Sequence, residues 1–321
     1  MNEFEWWINQ NQLSDYEKKL ILKSQQITNE EIIPSLEQIK HNLFKYIPLS
    51  EEISNYTLLF SDRATNFINE LFDKYVDDDT LIIISDCEHN NVKIKVKQFS
   101  NLLEIKNLNI DFSYIKTFKK VFVYFIGTQI SSGIITPQSF FIDLKQFLIK
   151  NKIEHKLVLD AVQEMFLLPR DYSLFDYIIG TAHSLIVNFD LGILLSKENS
   201  KLGRNIGNKG EKLVELLKIF TSRKCKLQSL RYLLRDHYYK YIKLGICQEI
   251  PNSIYNIFSL RINKKIFTQE MREALGKYYI KLEGIDNDIQ FIRFRAQHYI
   301  TNPEALIPGL KALDNLLEEI L

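Results

Sequence analysis

A chain of 321 residues that is 45% hydrophobic and 25% charged has the means to bury a large core, which excludes disordered and collagen-like classes. Its 41 basic and 40 acidic side chains leave a formal net charge of +1, so no bulk electrostatic attraction draws it to nucleic acid or to an anionic membrane. Cys87, Cys225 and Cys247 are scattered without a C-x-x-C spacing, which points to a reducing compartment and away from a zinc knuckle, a disulfide framework or any metal centre. The acidic stretch from Met1 to Glu5 has no long apolar run, so neither a signal peptide nor a membrane span is expected, and a cytoplasmic location follows. The many Phe and Tyr residues fall in apolar periods, as core residues do, rather than forming base-stacking platforms.

Residues 1–55 read as a helical lead-in. Ser14 with Glu17 and Thr28 with Glu31 have capping-box spacing, Pro34 stands near the start of a helix, and Trp6-Trp7 suits a hydrophobic anchor. Tyr56 to Phe60 is the first predicted strand, followed by the polar turn Ser61-Asp62-Arg63-Ala64-Thr65-Asn66 and a helix through Leu71. Unpaired first-turn N–H groups and the helix dipole make such a turn a natural anion site, although an ordinary capped helix would look the same. A second strand, Thr80 to Ser85, runs into Asp86-Cys87-Glu88-His89-Asn90-Asn91-Val92, where His89 is the one residue suited to handling a proton near neutral pH. Val121 to Gly127 is a continuous apolar strand. The polar loop Thr128 to Pro137 follows it, and then a helix from about Gln138 to Lys150 with the stripe Phe140, Phe141, Leu144 and Leu148.

The stretch from Lys156 to Gly192 organises the rest. Leu157-Val158-Leu159-Asp160-Ala161-Val162-Gln163 and Tyr177-Ile178-Ile179-Gly180-Thr181-Ala182-His183-Ser184 both read as buried strands ending in polar residues. Open α/β sheets bind ligands at the carboxyl ends of their strands, which nominates Asp160, Gln163, Thr181 and His183. Strands alternating with helices imply right-handed βαβ crossovers. The last third predicts helices over Gly210 to Phe220 and Leu227 to Tyr241, an alternating strand from Tyr255 to Ile262 and a helix from Gln269 to Tyr278. After these come the Arg-rich run Phe291-Ile292-Arg293-Phe294-Arg295 and a final amphipathic helix.

Val-Leu-Asp-Ala-x-Gln, then Asp-Tyr, then Gly-Thr-Ala-His with a glycine and an apolar strand beyond, resembles the class V aminotransferases. These are fold-type I pyridoxal phosphate (PLP) enzymes that include the cysteine desulfurases. The resemblance implies a mainly parallel seven-stranded sheet sandwiched by helices with a smaller α+β C-terminal domain. It divides the chain into 1–55, joining the small domain and the dimer contact, 56–205 as the large domain, and 206–321 as the small one. It implies that Arg63, Ala64 and Thr65 hold the cofactor phosphate, with Arg63 where the family has glycine. His89 would stack on the ring, Gln129 or Ser131 would approach it, Asp160 would pair with its nitrogen, Gln163 would bond its phenolic oxygen, and Thr181 and His183 would complete the cradle. Arg293 matches the arginine that clamps a substrate carboxylate, so an amino-acid-like substrate and a homodimer are implied.

The residue after His183 departs from the family. There the lysine that holds the cofactor as a Schiff base is replaced by Ser184, whose hydroxyl forms no imine. The Gly-Pro-x-Gly turn beyond it is replaced by Val187-Asn188-Phe189-Asp190, with Gly192 in register. Linker lysines Lys201 and Lys209 are weak substitutes. The expectation is noncovalent binding of PLP or its amine form, pyridoxamine phosphate, with His89, His183 and Ser184 as the proton-handling groups. The alternatives are a catalytically inactive pseudoenzyme acting as a binding or partner protein, or the fold reused for another ligand.

Overall fold

The computed structural model describes residues 17–18, 36–47, 55–182, 190–198, 207–222, 224–250, 254, 257–262, 268–285, 289–295, 298–299 and 302–320. The expectations for Trp6, Trp7, Ser14, Thr28, His183, Ser184 and Lys201 fall outside these residues. Helix α1 (Leu36–Phe44) precedes the first sheet. That sheet is built from β1 (Thr57–Ser61), β2 (Thr80–Ser85), β3 (Leu102–Ile105), β4 (Lys120–Ile126), β5 (Glu154–Asp160), β6 (Tyr177–Thr181) and β7 (Gly192–Ser196). Its order is β1-β7-β6-β5-β4-β2-β3. All neighbours pair in parallel except β7, which lies antiparallel to both β1 and β6.

The apolar runs form central strands because both faces of the sheet are covered. In β4, Val121, Val123 and Phe125 join one core with Phe141, Leu144 and Leu148 of α5 (Gln138–Lys150). Phe122 and Tyr124 turn to the other face, against Phe67, Leu71 and Phe72 of α2 (Ala64–Tyr75) and Val92 and Val96 of α3 (Asn90–Val96). The same two-residue alternation divides Leu157 and Leu159 from Val158 in β5. It therefore turns Asp160 to the α2 and α3 side, the side of Val158 and Tyr124. Edge strand β3 is short, only partly buried and carries Glu104, so its sequence has no strong strand pattern.

The short helix α4 (Phe112–Ile115) leads into β4. Beyond the first sheet come α6 (Gly207–Ser222) and α7 (Lys224–Lys243). A four-stranded antiparallel sheet then follows in the order β10-β11-β9-β8, from β8 (Cys247–Glu249), β9 (Ile257–Ile262), β10 (Ile280–Ile285) and β11 (Ile289–Arg295). Helices α8 (Gln269–Gly276) and α9 (Leu306–Ile320) complete this part. Tyr238 of α7 packs its ring near Phe258 and Phe294, which gives the second sheet its own aromatic centre. No helix among the described residues is long and apolar enough to cross a membrane.

The loop between β4 and α5 is bonded from both sides. From the second sheet, Arg293 donates to the Ile130 carbonyl and Ser259 Oγ to the Ser131 carbonyl at 3.0 Å, and from the connection between β8 and β9 the Ile254 N–H donates to the Gly133 carbonyl at 2.8 Å. From the first sheet, the buried pair Arg170 and Glu164 grips its base. Arg170 Nε lies 2.5 Å from Glu164 Oε1, its other nitrogens reach the Thr136 and Gly127 carbonyls, and Thr128 Oγ1 donates to Glu164 Oε2 at 2.6 Å. Gly133, at φ +75°, turns the loop through a conformation that side chains resist.

Candidate functional site

Six segments meet at this end of the sheet, beside the point where the chain leaves β2 for β3 on one side and later continues from β4 to β5 on the other. A crevice at such a reversal is where open α/β sheets hold ligands. Here it is a cavity of about 190 Å³. A single water needs roughly 10–15 Å³ by this measure, so the space is that of an organic ligand.

Seven of the residues nominated from sequence line it together: Arg63, Ala64, Thr65, His89, Asp160, Gln163 and Thr181. Ile68, Ile126, Ile130, Val162, Asp190 and Leu191 supply the remainder, largely apolar. The N-terminus of α2 opens onto it. Arg63 is the capping position but its side chain makes no cap bond; the Asn66 N–H donates to the Arg63 carbonyl at 3.1 Å, and the first-turn N–H groups before it face the cavity side of the turn as candidates for another acceptor. Asn91 Nδ2 donates to Thr65 Oγ1 at 2.9 Å, which orients that hydroxyl and leaves its proton available. Arg63 Nε stands 3.8 Å from Asp190 at the rim, where both side chains are more than half exposed and the pair contributes little to stability.

Gly192 explains how β7 comes so close to this helix. A Cβ there would lie 2.5 Å from the Arg63 carbonyl carbon and 2.6 Å from the Ala64 nitrogen. Gly192→Ala must therefore push backbone apart at the N-terminus of α2. A loss of about 1–3 kcal/mol in chemical unfolding is expected, as for other overpacked sites.

The floor is Asp160, 4% exposed. Its backbone is held by both neighbours: the Gly127 N–H donates to its carbonyl at 2.9 Å and the next residue, Ala161, donates to Ile179 at 2.8 Å. Tyr124 OH donates to Oδ2 at 2.9 Å and the Val162 N–H to Oδ1 at 3.1 Å. Burial raises the Asp160 pKa above the usual carboxylate value, opposed by those two donors and by His89. Gln163 is 4% exposed, and its Oε1 has no hydrogen-bond partner among the described residues. His89 caps α3, its Nδ1 accepting the Asn91 N–H at 3.2 Å, so the neutral ring carries its proton on Nε2.

Other nominated residues are placed elsewhere. Gln129 Oε1 accepts from Ser132 Oγ at 2.7 Å, and the Ser131 carbonyl is taken by Ser259; neither residue lines the cavity. Arg293 is 1% exposed behind the loop and bonds the backbone of Ile130 rather than lining the cavity. Lys209 pairs with Asp62 at 2.9 Å. Sequence reasoning missed Tyr124 and Glu88 as neighbours of Asp160, and Asp190 at the rim. The acid preceding His89 was the only visible signal. Cys87, between β2 and His89, has its thiol pushed up to about 12 by burial and by Asp86, so it is no nucleophile at neutral pH.

No family model and no curated relative matches the chain. Solved structures do match in fold. A NifS-like protein from Rickettsia africae ESF-5 superposes with a TM-score of 0.69 at 14% identity, over 95% of this chain and 96% of that one. The PLP-bound C-S lyase from Staphylococcus hominis superposes with a TM-score of 0.66 at 15% identity, over 94% of this chain and 91% of that one. A further NifS-like protein gives 0.64 at 15% identity over 93% and 96%. The chain thus shares the α/β fold of these structures, with the seven-stranded, mainly parallel sheet that the resemblance to fold-type I PLP enzymes implied.

Proposed function

We propose that this cavity binds PLP or pyridoxamine phosphate noncovalently and that the protein acts on an amino-acid-like substrate without a Schiff-base lysine, as a cytoplasmic homodimer. The observation that carries this reading is the convergence on one cavity of a buried carboxylate, an amide with an unmet bonding atom and an uncapped helix N-terminus. The residues fit the group. A cationic ring nitrogen answers the desolvated charge of Asp160, a ring hydroxyl answers Gln163, and a phosphate answers the first turn of α2 with Thr65 and Arg63. When bound, PLP supplies an electron sink for carbanion chemistry at a substrate carbon.

The chain's own groups do the rest. The Asp160 carboxylate, kept in place by Tyr124 and the Val162 N–H, would hold a proton on a ring nitrogen of the bound group. His89 offers Nε2 for stacking or proton transfer at the cavity wall. Ile68, Ile126, Val162 and Leu191 exclude water. Ser184 and His183 are assigned the remaining proton transfers. Without lysine as general base the rate is expected to fall by several powers of ten relative to lysine-bearing homologues.

One observation favours the second reading, a binding protein with no catalytic turnover. Arg293, which the first reading needs for the substrate carboxylate, is engaged with the Ile130 carbonyl. The test is an absorbance titration of the purified protein with PLP, followed by borohydride reduction and intact mass. Saturable binding with no reduced adduct is expected. A trapped adduct would assign the amine role to another lysine, and absence of binding would reject the PLP reading.

A further inference from the structure

Directly behind Asp160 lies a second buried carboxyl group. Glu88, 4% exposed as a residue, follows β2 in the turn before α3 and is not part of the cavity wall. Its Oε1 accepts the Ile126 N–H at 2.7 Å and, more weakly, the Ser85 N–H at 3.4 Å. Its Oε2 is buried and has no hydrogen-bond partner among the described residues. Ile126 is the register partner of Asp160 across β4 and β5, which brings the two carboxyl groups to the same level of the sheet.

Two N–H donors at Oε1 require that oxygen to be an acceptor, so any proton on Glu88 sits at Oε2. Two ionised carboxyl groups in a site this dry would repel each other strongly. The charged and titratable groups facing Glu88 are Asp160 on β5, Tyr124 on β4, and Cys87 and Lys93 in its own turn and helix. Of these, Lys93 is the cation, and its ammonium is bonded at 2.5 Å to the Asp86 carbonyl.

We propose that Glu88 is a positioning residue that bears a proton on Oε2 at neutral pH, so that the Glu88 and Asp160 pair presents one negative charge, sited on Asp160, to a cationic ligand. Burial, and then the charge of Asp160, push the Glu88 carboxyl well above the usual range, in accord with that geometry. The proposal deepens the PLP reading, since the cation would be the ring nitrogen. Its first consequence concerns the ligand-free protein and stands apart from that reading.

The test has two arms. In infrared spectra of the ligand-free protein at neutral pH, a protonated-carboxyl band is expected in the wild type, absent from Glu88→Gln and retained in Asp160→Asn. Absence of the band from the wild type, or its survival in Glu88→Gln, would overturn the proposal. In the second arm PLP is titrated across pH. Glu88→Gln keeps the shape and the neutral charge, so it is expected to bind within about threefold of wild type at neutral pH. It is also expected to lack the inflection in ring absorbance that is expected of the wild type as pH rises and Glu88 ionises. An equal affinity loss at every pH with the inflection retained would mark Glu88 as merely structural and would overturn the assignment. If neither protein binds PLP, the cofactor reading fails while the infrared arm still decides the state of Glu88.

Discussion

Asp160→Asn is expected to bind PLP at least about thirtyfold more weakly than wild type, because truncating the charge of one partner in a desolvated, hydrogen-bonded pair costs about 2–5 kcal/mol. The fold should not suffer. In the wild type, Tyr124 OH and the Val162 N–H bond opposite oxygens of the carboxylate. An asparagine can keep its oxygen toward Val162 and turn its amide toward the Tyr124 hydroxyl, which also accepts. Removing a buried charge whose pKa burial raises should leave unfolding stability equal or higher at neutral pH. Affinity measured by the absorbance titration, alongside chemical unfolding, separates the two effects. Wild-type affinity in Asp160→Asn would place any bound cation away from this residue.

Arg170→Met is expected to be the most destabilising single change. Glu164 is 0% exposed, and its partner spans it with two nitrogens, at 2.5 and 3.0 Å. Removing the guanidinium strands a buried carboxylate, a loss of about 3–5 kcal/mol. It also frees the Gly127 and Thr136 carbonyls that hold the base of the loop after β4. The double change Arg170→Met with Glu164→Gln should recover part of the loss, since the stranded charge is then gone. Equal midpoints for the single and double variants in denaturant unfolding would show that the pair does not act as a unit.

The pH dependence follows from the same buried acids. Glu88 and Asp160 have folded pKa values above their ordinary ones, so each folded group holds its proton to higher pH than the unfolded chain does. Their contribution to stability is full below the ordinary carboxylate range and declines as pH rises toward the folded values. Glu198 works in the opposite sense. With Lys156, Tyr177 and Tyr75 as partners it is lowered to about 2, so its contribution is present above the ordinary range and lost as pH falls toward that value. Unfolding of Glu88→Gln across mildly acidic to alkaline pH should therefore decline less with rising pH than unfolding of the wild type.

Much of the fold was legible because the central strands are covered on both faces. Leu81 to Ile84, Val121 to Ile126 and Leu157 to Leu159 are continuous apolar runs with polar ends, and polar residues at strand ends nominate a site. Strands β3, β8 and β10 were not read. In β3 the cause is its half-exposed edge position, where burial imposes no pattern. The cavity-lining residues were legible where chemistry and strand end coincide, as at Asp160, Gln163 and Thr181. Tyr124 was hidden in an apolar run, because only the pairing of β4 with β5 shows that it reaches Asp160.

By itself the sequence determined the alternation of buried strands and covering helices and the polar strand ends. These are local properties of composition and periodicity. Only the tertiary structure decided that β7 runs against its neighbours. The same holds for the engagement of Arg293 with the Ile130 backbone, the burial of Glu164 with Arg170 beneath the loop, and the position of Glu88 behind Asp160. Each of these depends on which distant segments are brought together. Strand order and desolvation set that proximity, and neither is written in the spacing of residues along the chain.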